Sequence, residues 1–226
     1  MPGRFFLGLG AGERLNEQVT GGRWPTGSER RATVEAAVDV IRRLWAGDTV
    51  THADDAFRVE RARLFSRPDT MPPIVIAAGG SKTARLAGRI ADGMVGVAAD
   101  PSLVERFEVS GGSGKPRLAQ LHVCWAESDD EARRIAHRWW PNAAMPPQIL
   151  TELATPQQFA AVARGVTEDD VASNVVCGPD PARHVAAIEH FVAAGFTAVY
   201  LHQIGPDQHG FFDFYRREVA PRICGP

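Results

Sequence analysis

Cysteine is scarce in this chain. The three present, Cys124, Cys177 and Cys224, are far apart and odd in number, which excludes a disulfide framework and fits reduced thiols in a cytoplasmic protein. No apolar stretch nears the roughly 18 residues needed to span a bilayer. No charged segment leading into an apolar one opens the sequence, so neither a membrane partner nor a secretory signal is expected. The 25 cations and 27 acids nearly balance, leaving no electrostatic footprint for nucleic acid. Cys-x-x-Cys, Gly-x-Ser-x-Gly and Walker A patterns are missing. The glycine run at 8–12 falls short of the dinucleotide fingerprint, so a nicotinamide site is not expected. His184 and His190, six apart on one helix, do not share a face, and no metal is expected there.

What is present is an alternation of apolar runs and amphipathic stretches, in 226 residues of ordinary globular composition. Residues 5–9, Phe-Phe-Leu-Gly-Leu, read as a buried strand. It ends in a glycine-broken turn presenting Glu13 and Asn16, at the strand end where α/β proteins place their chemistry. Val34, Ala37, Val38, Ile41, Leu44 and Trp45 form a helical stripe that predicts a helix from 28 or 29 to 46. A hairpin over 49–59, turning at Asp54-Asp55, follows. Pro72-Pro73 introduces a strand over 74–78, and Gly79-Gly80-Ser81 starts a helix over 82–90.

A short strand over 94–97 and a helix opened by Pro101 come next. Beyond a loop at 111–114, a strand spans 118–125 and a helix capped by Ser128 runs to about 140. Residues 141–172 read as irregular and helical, with Thr167 and Asp170 spaced as a capping box. Residues 174–177 are extended, either a strand or a connection. A helix over 181–194 stopped by Gly195, a buried strand over 198–202 and a helix from about 208 to 219 complete the pattern. It contains no domain linker. Five strands suffice for an open doubly wound sheet, whereas a closed (β/α)8 barrel needs eight.

Several segments carry a family resemblance in collinear order. They are residues 3–17, Gly22-Arg23-Trp24-Pro25, residues 35–45, Ala62-Arg63-Leu64-Phe65, residues 73–80, Ala91-Asp92-Gly93, Gly178-Pro179-Asp180-Pro181 and residues 202–208. The chain thereby resembles the luciferase-like oxidoreductases that use the deazaflavin coenzyme F420, in the branch related to glucose-6-phosphate dehydrogenases of that type. The resemblance implies an α/β fold of (β/α)8 TIM-barrel type, present as a single partial barrel domain over 1–226. The five strands would be the fourth to eighth, and three βα units, roughly 100 residues, would be absent ahead of them. Met1 is then either a misplaced start or the start of a truncated gene. The family's catalytic histidine, its tryptophan beside the deazaflavin and its bulged strand have no counterpart here. Two open sheet edges, at 5–9 and 198–202, are expected to favour a homo-oligomer or a partner-bound subunit.

By resemblance, Glu13 is the catalytic proton donor or acceptor, while Ala11, Gly12, Glu13 and Asn16 contact the cofactor. By position alone, Glu13 also suits the first turn of a helix and Asn16 a local cap. Ala77, Ala78, Gly79 and Gly80 form a small-residue turn whose N–H groups can approach an anion; alone it reads as a tight connection, and within the family pattern as the cofactor's phosphate site. The glucose-6-phosphate enzymes' phosphate-binding threonine and lysine fall on Val97 and Asp100, and a further lysine near Ser173. A carboxylate repels phosphate, so glucose 6-phosphate is not the expected substrate. Val97, His202 and Gln203 are the substrate-side candidates, with a structural role for His202 equally open; Trp139-Trp140-Pro141 lids the pocket or belongs to the core. FMN is the alternative cofactor, and a catalytically silent barrel remnant the alternative role.

Overall fold

The structure, a computed structural model, describes residues 3–224. Met1 and the side chain of Cys224, both invoked above, lie outside the described residues. The chain begins β1 (Leu7–Leu9), α1 (Arg14–Glu17), α2 (Gly27–Ala46), β2 (Val50–Ala53) and β3 (Arg58–Ala62). It continues β4 (Ile74–Ala77), α3 (Ser81–Ile90), β5 (Gly93–Gly96), α4 (Pro101–Phe107), β6 (Arg117–Cys124) and α5 (Asp129–Trp139). Short helices α6 (Pro147–Leu150), α7 (Pro156–Ala163) and α8 (Glu168–Ala172) lead to β7 (Val176–Cys177). Helix α9 (Pro181–Ala193), β8 (Ala198–Gln203), α10 (Gln208–Phe214) and α11 (Ala220–Cys224) close the chain. The described residues form two compact units: one from the chain start to Gly12 with Arg23–Gly96 and Asp100–Arg117, the other of Glu13–Gly22, Val97–Ala99 and everything from Leu118 on.

In the first unit, β4 pairs in parallel with β1 on one edge and β5 on the other, with Ile76 opposite both Leu9 and Met94. Ile74, Ile76, Met94 and Phe107 are fully buried. Helix α2 starts earlier than its apolar stripe indicates, because Thr26 and Glu29 close a capping box about two turns before Val34 opens that stripe. The Ala91-Asp92-Gly93 motif has a structural task here. The Asp92 carboxylate accepts from Ile74 N at 2.9 Å and from Arg42 Nη2 at 3.0 Å, while Arg42 Nη1 donates to Ile90 O at 2.7 Å. One carboxylate thus joins α2, the end of α3 and the start of β4. Lys115 Nζ donates to Gly88 O and Ala91 O at 2.9 Å each, which satisfies carbonyls at the end of α3.

In the second unit, β6 is the central strand. It pairs with β8 over six residues, from Leu118 opposite Ala198 to Val123 opposite Gln203, and with the two-residue β7 at Val123 and Cys124. Cys124, Ala132, Ala136, Val171, Val175 and Cys177 form one buried cluster. The capping box read at Thr167 and Asp170 is formed.

Two expectations are corrected. The strand expected over 5–9 is confined to Leu7–Leu9, with Phe5 54% and Phe6 42% exposed. The strand expected buried over 198–202 alternates between exposed and half-buried residues, with Tyr200 52% exposed. Each is bonded on one edge only among the described residues, β1 by β4 and β8 by β6. An apolar strand is buried by what covers it, and neither strand has a second neighbour among the described residues.

Candidate functional site

At the carboxyl end of the first unit's sheet, the turns after β1 and β4 lie side by side. A Cβ on Gly10 would sit 3.8 Å from Ala77 Cβ, an ordinary contact. Gly12, at φ +80°, uses the left-handed backbone that glycine favours. Ala78 is buried and its N–H donates to Val95 O at 2.8 Å, which fixes the chain ahead of the glycines. At Gly79 and Gly80 a Cβ would meet nothing within 4 Å, so this backbone is open to approach. Gly80 is the N-cap of α3, and no side chain caps that helix. By contrast α2, α4, α5, α7, α8, α9 and α10 are capped by Thr26, Asp100, Ser128, Thr155, Thr167, Asp180 and Asp207 respectively. A ten-residue helix with bare N–H groups and its positive dipole end beside two glycines is chemically suited to an anion.

The second unit holds Glu13, Asn16, Val97, His202 and Gln203. Glu13 is exposed, in extended conformation, and caps α1 through its backbone O, which accepts from Asn16 N and Glu17 N. Asn16 Nδ2 donates to the Glu13 carboxylate at 3.4 Å. Val97 is 60% exposed. Gln203 is buried, with Oε1 accepting from Trp125 N at 2.9 Å and Nε2 donating to Trp125 O at 3.1 Å. Its amide is therefore engaged at both ends by one backbone residue, a brace that fixes the chain leaving β6.

His202 stands opposite His122 in the β6–β8 register, and their Nδ1 atoms are 2.9 Å apart. One ring donates and the other accepts, so the pair shares a single proton on these nitrogens. Trp140 lies across both, at ring-centroid distances of 4.9 Å to His202 and 5.6 Å to His122. Burial, with the neighbouring His202 adding, lowers the His122 pKa below its ordinary 6.5. Sequence spacing alone pairs His122 with no residue. Only the strand register reveals it, since residues 80 apart in sequence meet on one face. Two other histidines gain partners as well: His52 Nε2 meets Asp54 Oδ2 at 2.9 Å and His137 Nε2 meets Val166 O at 2.9 Å. Trp139 is exposed, so of the Trp139-Trp140-Pro141 stretch it is Trp140 that joins the histidine pair.

Asp100 and Ser173, where the resemblance places phosphate-binding lysines, have other partners. Asp100 Oδ1 accepts from Ser102 N at 2.9 Å as the N-cap of α4, and Ser173 Oγ donates to Asp169 O at 2.8 Å.

Known proteins resemble this chain along nearly its whole length. The family model for luciferase-like monooxygenases matches residues 1–198. The F420-dependent glucose-6-phosphate dehydrogenase of Nakamurella multipartita is 31% identical over 234 residues, covering 98% of this chain and 69% of that protein. The protein of the same description from Microbacterium testaceum is 32% identical, again over 98% of this chain and 69% of its own length. Among solved structures, an F420-dependent secondary alcohol dehydrogenase in complex with an F420-acetone adduct superposes with a TM-score of 0.84 at 27% identity, covering 98% of this chain and 70% of that one. A coenzyme F420-dependent tetrahydromethanopterin reductase from Methanopyrus kandleri shares the fold, with a TM-score of 0.71 at 21% identity over 98% of this chain and 75% of its own. This chain belongs to the luciferase-like monooxygenase family.

Proposed function

We propose that the protein is an oxidoreductase that transfers a hydride between a small organic substrate and coenzyme F420. The observation that carries this is the bare start of α3 behind Gly79-Gly80, in a chain similar along 98% of its length to F420-dependent dehydrogenases. The turn of Ala77, Ala78, Gly79 and Gly80 fits the phosphate of such a cofactor: its glycines leave room, and α3 supplies unpaired N–H donors. Ala11, Gly12 and Asn16 contact the cofactor's ring or side chain, and Glu13 handles a proton. The deazaflavin supplies the hydride chemistry when bound. The chain's own residues orient it and set the charge around it.

On the substrate side we assign Val97 and His202, with His122 and Trp140 beside it; Gln203 contributes by bracing Trp125. The substrate is not glucose 6-phosphate, because Asp100 and Ser173 supply no cation where the phosphate would need one. The protein acts in the cytoplasm as a homo-oligomer, which agrees with its buried free Cys124 and Cys177 and its half-paired β1 and β8.

A fluorescence titration with coenzyme F420, with FMN as the control, tests the reading. Saturable binding of F420 alone is expected, at a Kd weakened at least tenfold by Gly80→Leu, since a branched side chain fills the open backbone and forces the anion away. Preference for FMN would replace the cofactor, and binding of neither by the folded chain would remove the enzyme reading.

A further inference from the structure

The two rings that meet across β6 and β8 are connected as a proton conductor would be. His122 and His202 share one proton between Nδ1 atoms 2.9 Å apart. A neutral imidazole carries its proton on one nitrogen only. The ring that donates from Nδ1 therefore has a bare Nε2, and the ring that accepts at Nδ1 carries its proton on Nε2. The bond forces opposite tautomers on the two rings, so the pair presents one acceptor and one donor at its outer ends. Among the described residues neither Nε2 has a hydrogen-bond partner. The buried side-chain atoms left unpaired there are Arg30 Nε, Trp125 Nε1 and His184 Nδ1, so both Nε2 atoms are reached by solvent. No carboxylate or cation among the described residues bonds to either ring. Burial holds His122 below its ordinary 6.5, which keeps that ring neutral at pH 7 and able to take a proton. Trp140 sets an apolar ring beside the shared bond, at 4.9 Å from His202 and 5.6 Å from His122, where a hydrogen bond is stronger than in water.

We propose that His202 and His122 form a two-ring proton relay that carries the substrate's hydroxyl proton to solvent. The substrate end of the relay rests on the assignment of His202 above; the shared proton and the free outer nitrogens do not. An alcohol oxidised to a carbonyl is the substrate class that fits. As its C–H bond gives up a hydride to the oxidised deazaflavin, its O–H bond breaks and that electron pair becomes the second bond of the C=O. The released proton goes to the bare Nε2 of His202. His202 then passes its Nδ1 proton to Nδ1 of His122, and His122 gives its Nε2 proton to water. One proton enters, one leaves, and both rings end neutral. Once product departs, exchange of both Nε2 atoms with water resets the tautomers. The proton that Glu13 handles is a separate one, taken up by the reduced cofactor. His202 is thus a catalytic residue, and His122 acts through it.

The first readout needs no cofactor. In nitrogen NMR spectra of the histidine-labelled protein at neutral pH, one ring of the pair is expected in the Nδ1–H tautomer and the other in the Nε2–H tautomer. His122→Gln and His202→Gln assign the signals by removing them one at a time. Two Nε2–H rings would overturn the relay. With F420 bound, propan-2-ol and cyclohexanol serve as probe alcohols, and oxidation of at least one is expected. His202→Gln is expected to lower kcat about 100-fold, and His122→Ala about tenfold with KM nearly unchanged. Added imidazole, which refits the vacated ring and conducts a proton, is expected to restore much of the kcat of His122→Ala. His122→Phe fills that space without a nitrogen and is expected to stay slow and beyond rescue. A loss confined to KM, no rescue by imidazole, or full speed in His122→Phe would each mean a structural pair and overturn the relay. Bound F420 with neither alcohol oxidised overturns the substrate class and leaves the cofactor standing. If F420 does not bind, the cofactor reading fails, and the tautomer spectra decide the shared proton on their own.

Discussion

Cys124 and Cys177 are register partners on neighbouring parallel strands, and both are buried free thiols. Burial raises the Cys124 pKa to about 12, with Cys177 adding, and burial raises the Cys177 pKa to about 11. Nucleophilic reactivity follows the thiolate, which is nearly absent at neutral pH under those conditions. Both thiols are therefore expected to resist iodoacetamide for hours in the native protein and to alkylate within minutes in denaturant. Mass spectrometry of peptides containing each residue, sampled over time, reads this out; rapid native labelling of either would contradict the packing described. At this scale the sequence was informative about type and silent about pairing. Cys124 and Cys177 were legible as reduced strand cysteines. Their adjacency, like that of His122 and His202, depends on strand register, which a list of apolar runs does not contain.

At the scale of elements, close packing within the first unit depends on Gly88 in α3. A Cβ there would press on Phe107 O at the end of α4 and come within 2.9 Å of Ser110 Cβ. Backbone cannot move aside as a flexible side chain can, so Gly88→Ala is expected to cost about 1–3 kcal/mol. Urea unfolding would show a lower midpoint with an unchanged slope, and a variant as stable as the parent would mean that α3 and α4 have slack between them. Helix positions were largely readable, since proline, Ser/Thr and Asp caps and glycine stops mark them chemically. Thr26 shows the limit: its Thr-x-x-Glu pattern with Glu29 was in view, but the apolar stripe alone set the expected start one or two residues late. Strand burial was less legible. The apolar composition of residues 5–9 and 198–202 is real, yet exposure of Phe5, Phe6 and Tyr200 follows from how many neighbours each strand has.

For the whole molecule, acid is the expected weakness. Burial lowers the pKa of both His122 and His184 from an ordinary 6.5. His184 Nε2 donates to Gly178 O at 3.0 Å, and its buried Nδ1 has no acceptor to meet if it gains a proton. The unfolded chain takes up protons at these rings more readily than the folded one. Their contribution is thus complete above pH 6.5 and is lost as pH falls through the folded-state values. The melting temperature is expected to drop by on the order of a few degrees between pH 7.5 and 5, and His122→Gln should shallow that dependence. A pH-independent Tm over this range would contradict the burial of both rings.

The bare N-terminus of α3 has a practical corollary for anyone handling the protein. An uncapped helix end suits small oxyanions, and any anion that binds only the folded chain favours that form by mass action. Under the proposed cofactor reading, phosphate in a purification buffer is expected to act as a rival ligand there, raising thermal stability while it weakens the apparent cofactor affinity. The choice of buffer salt therefore enters the binding constant as surely as any residue does.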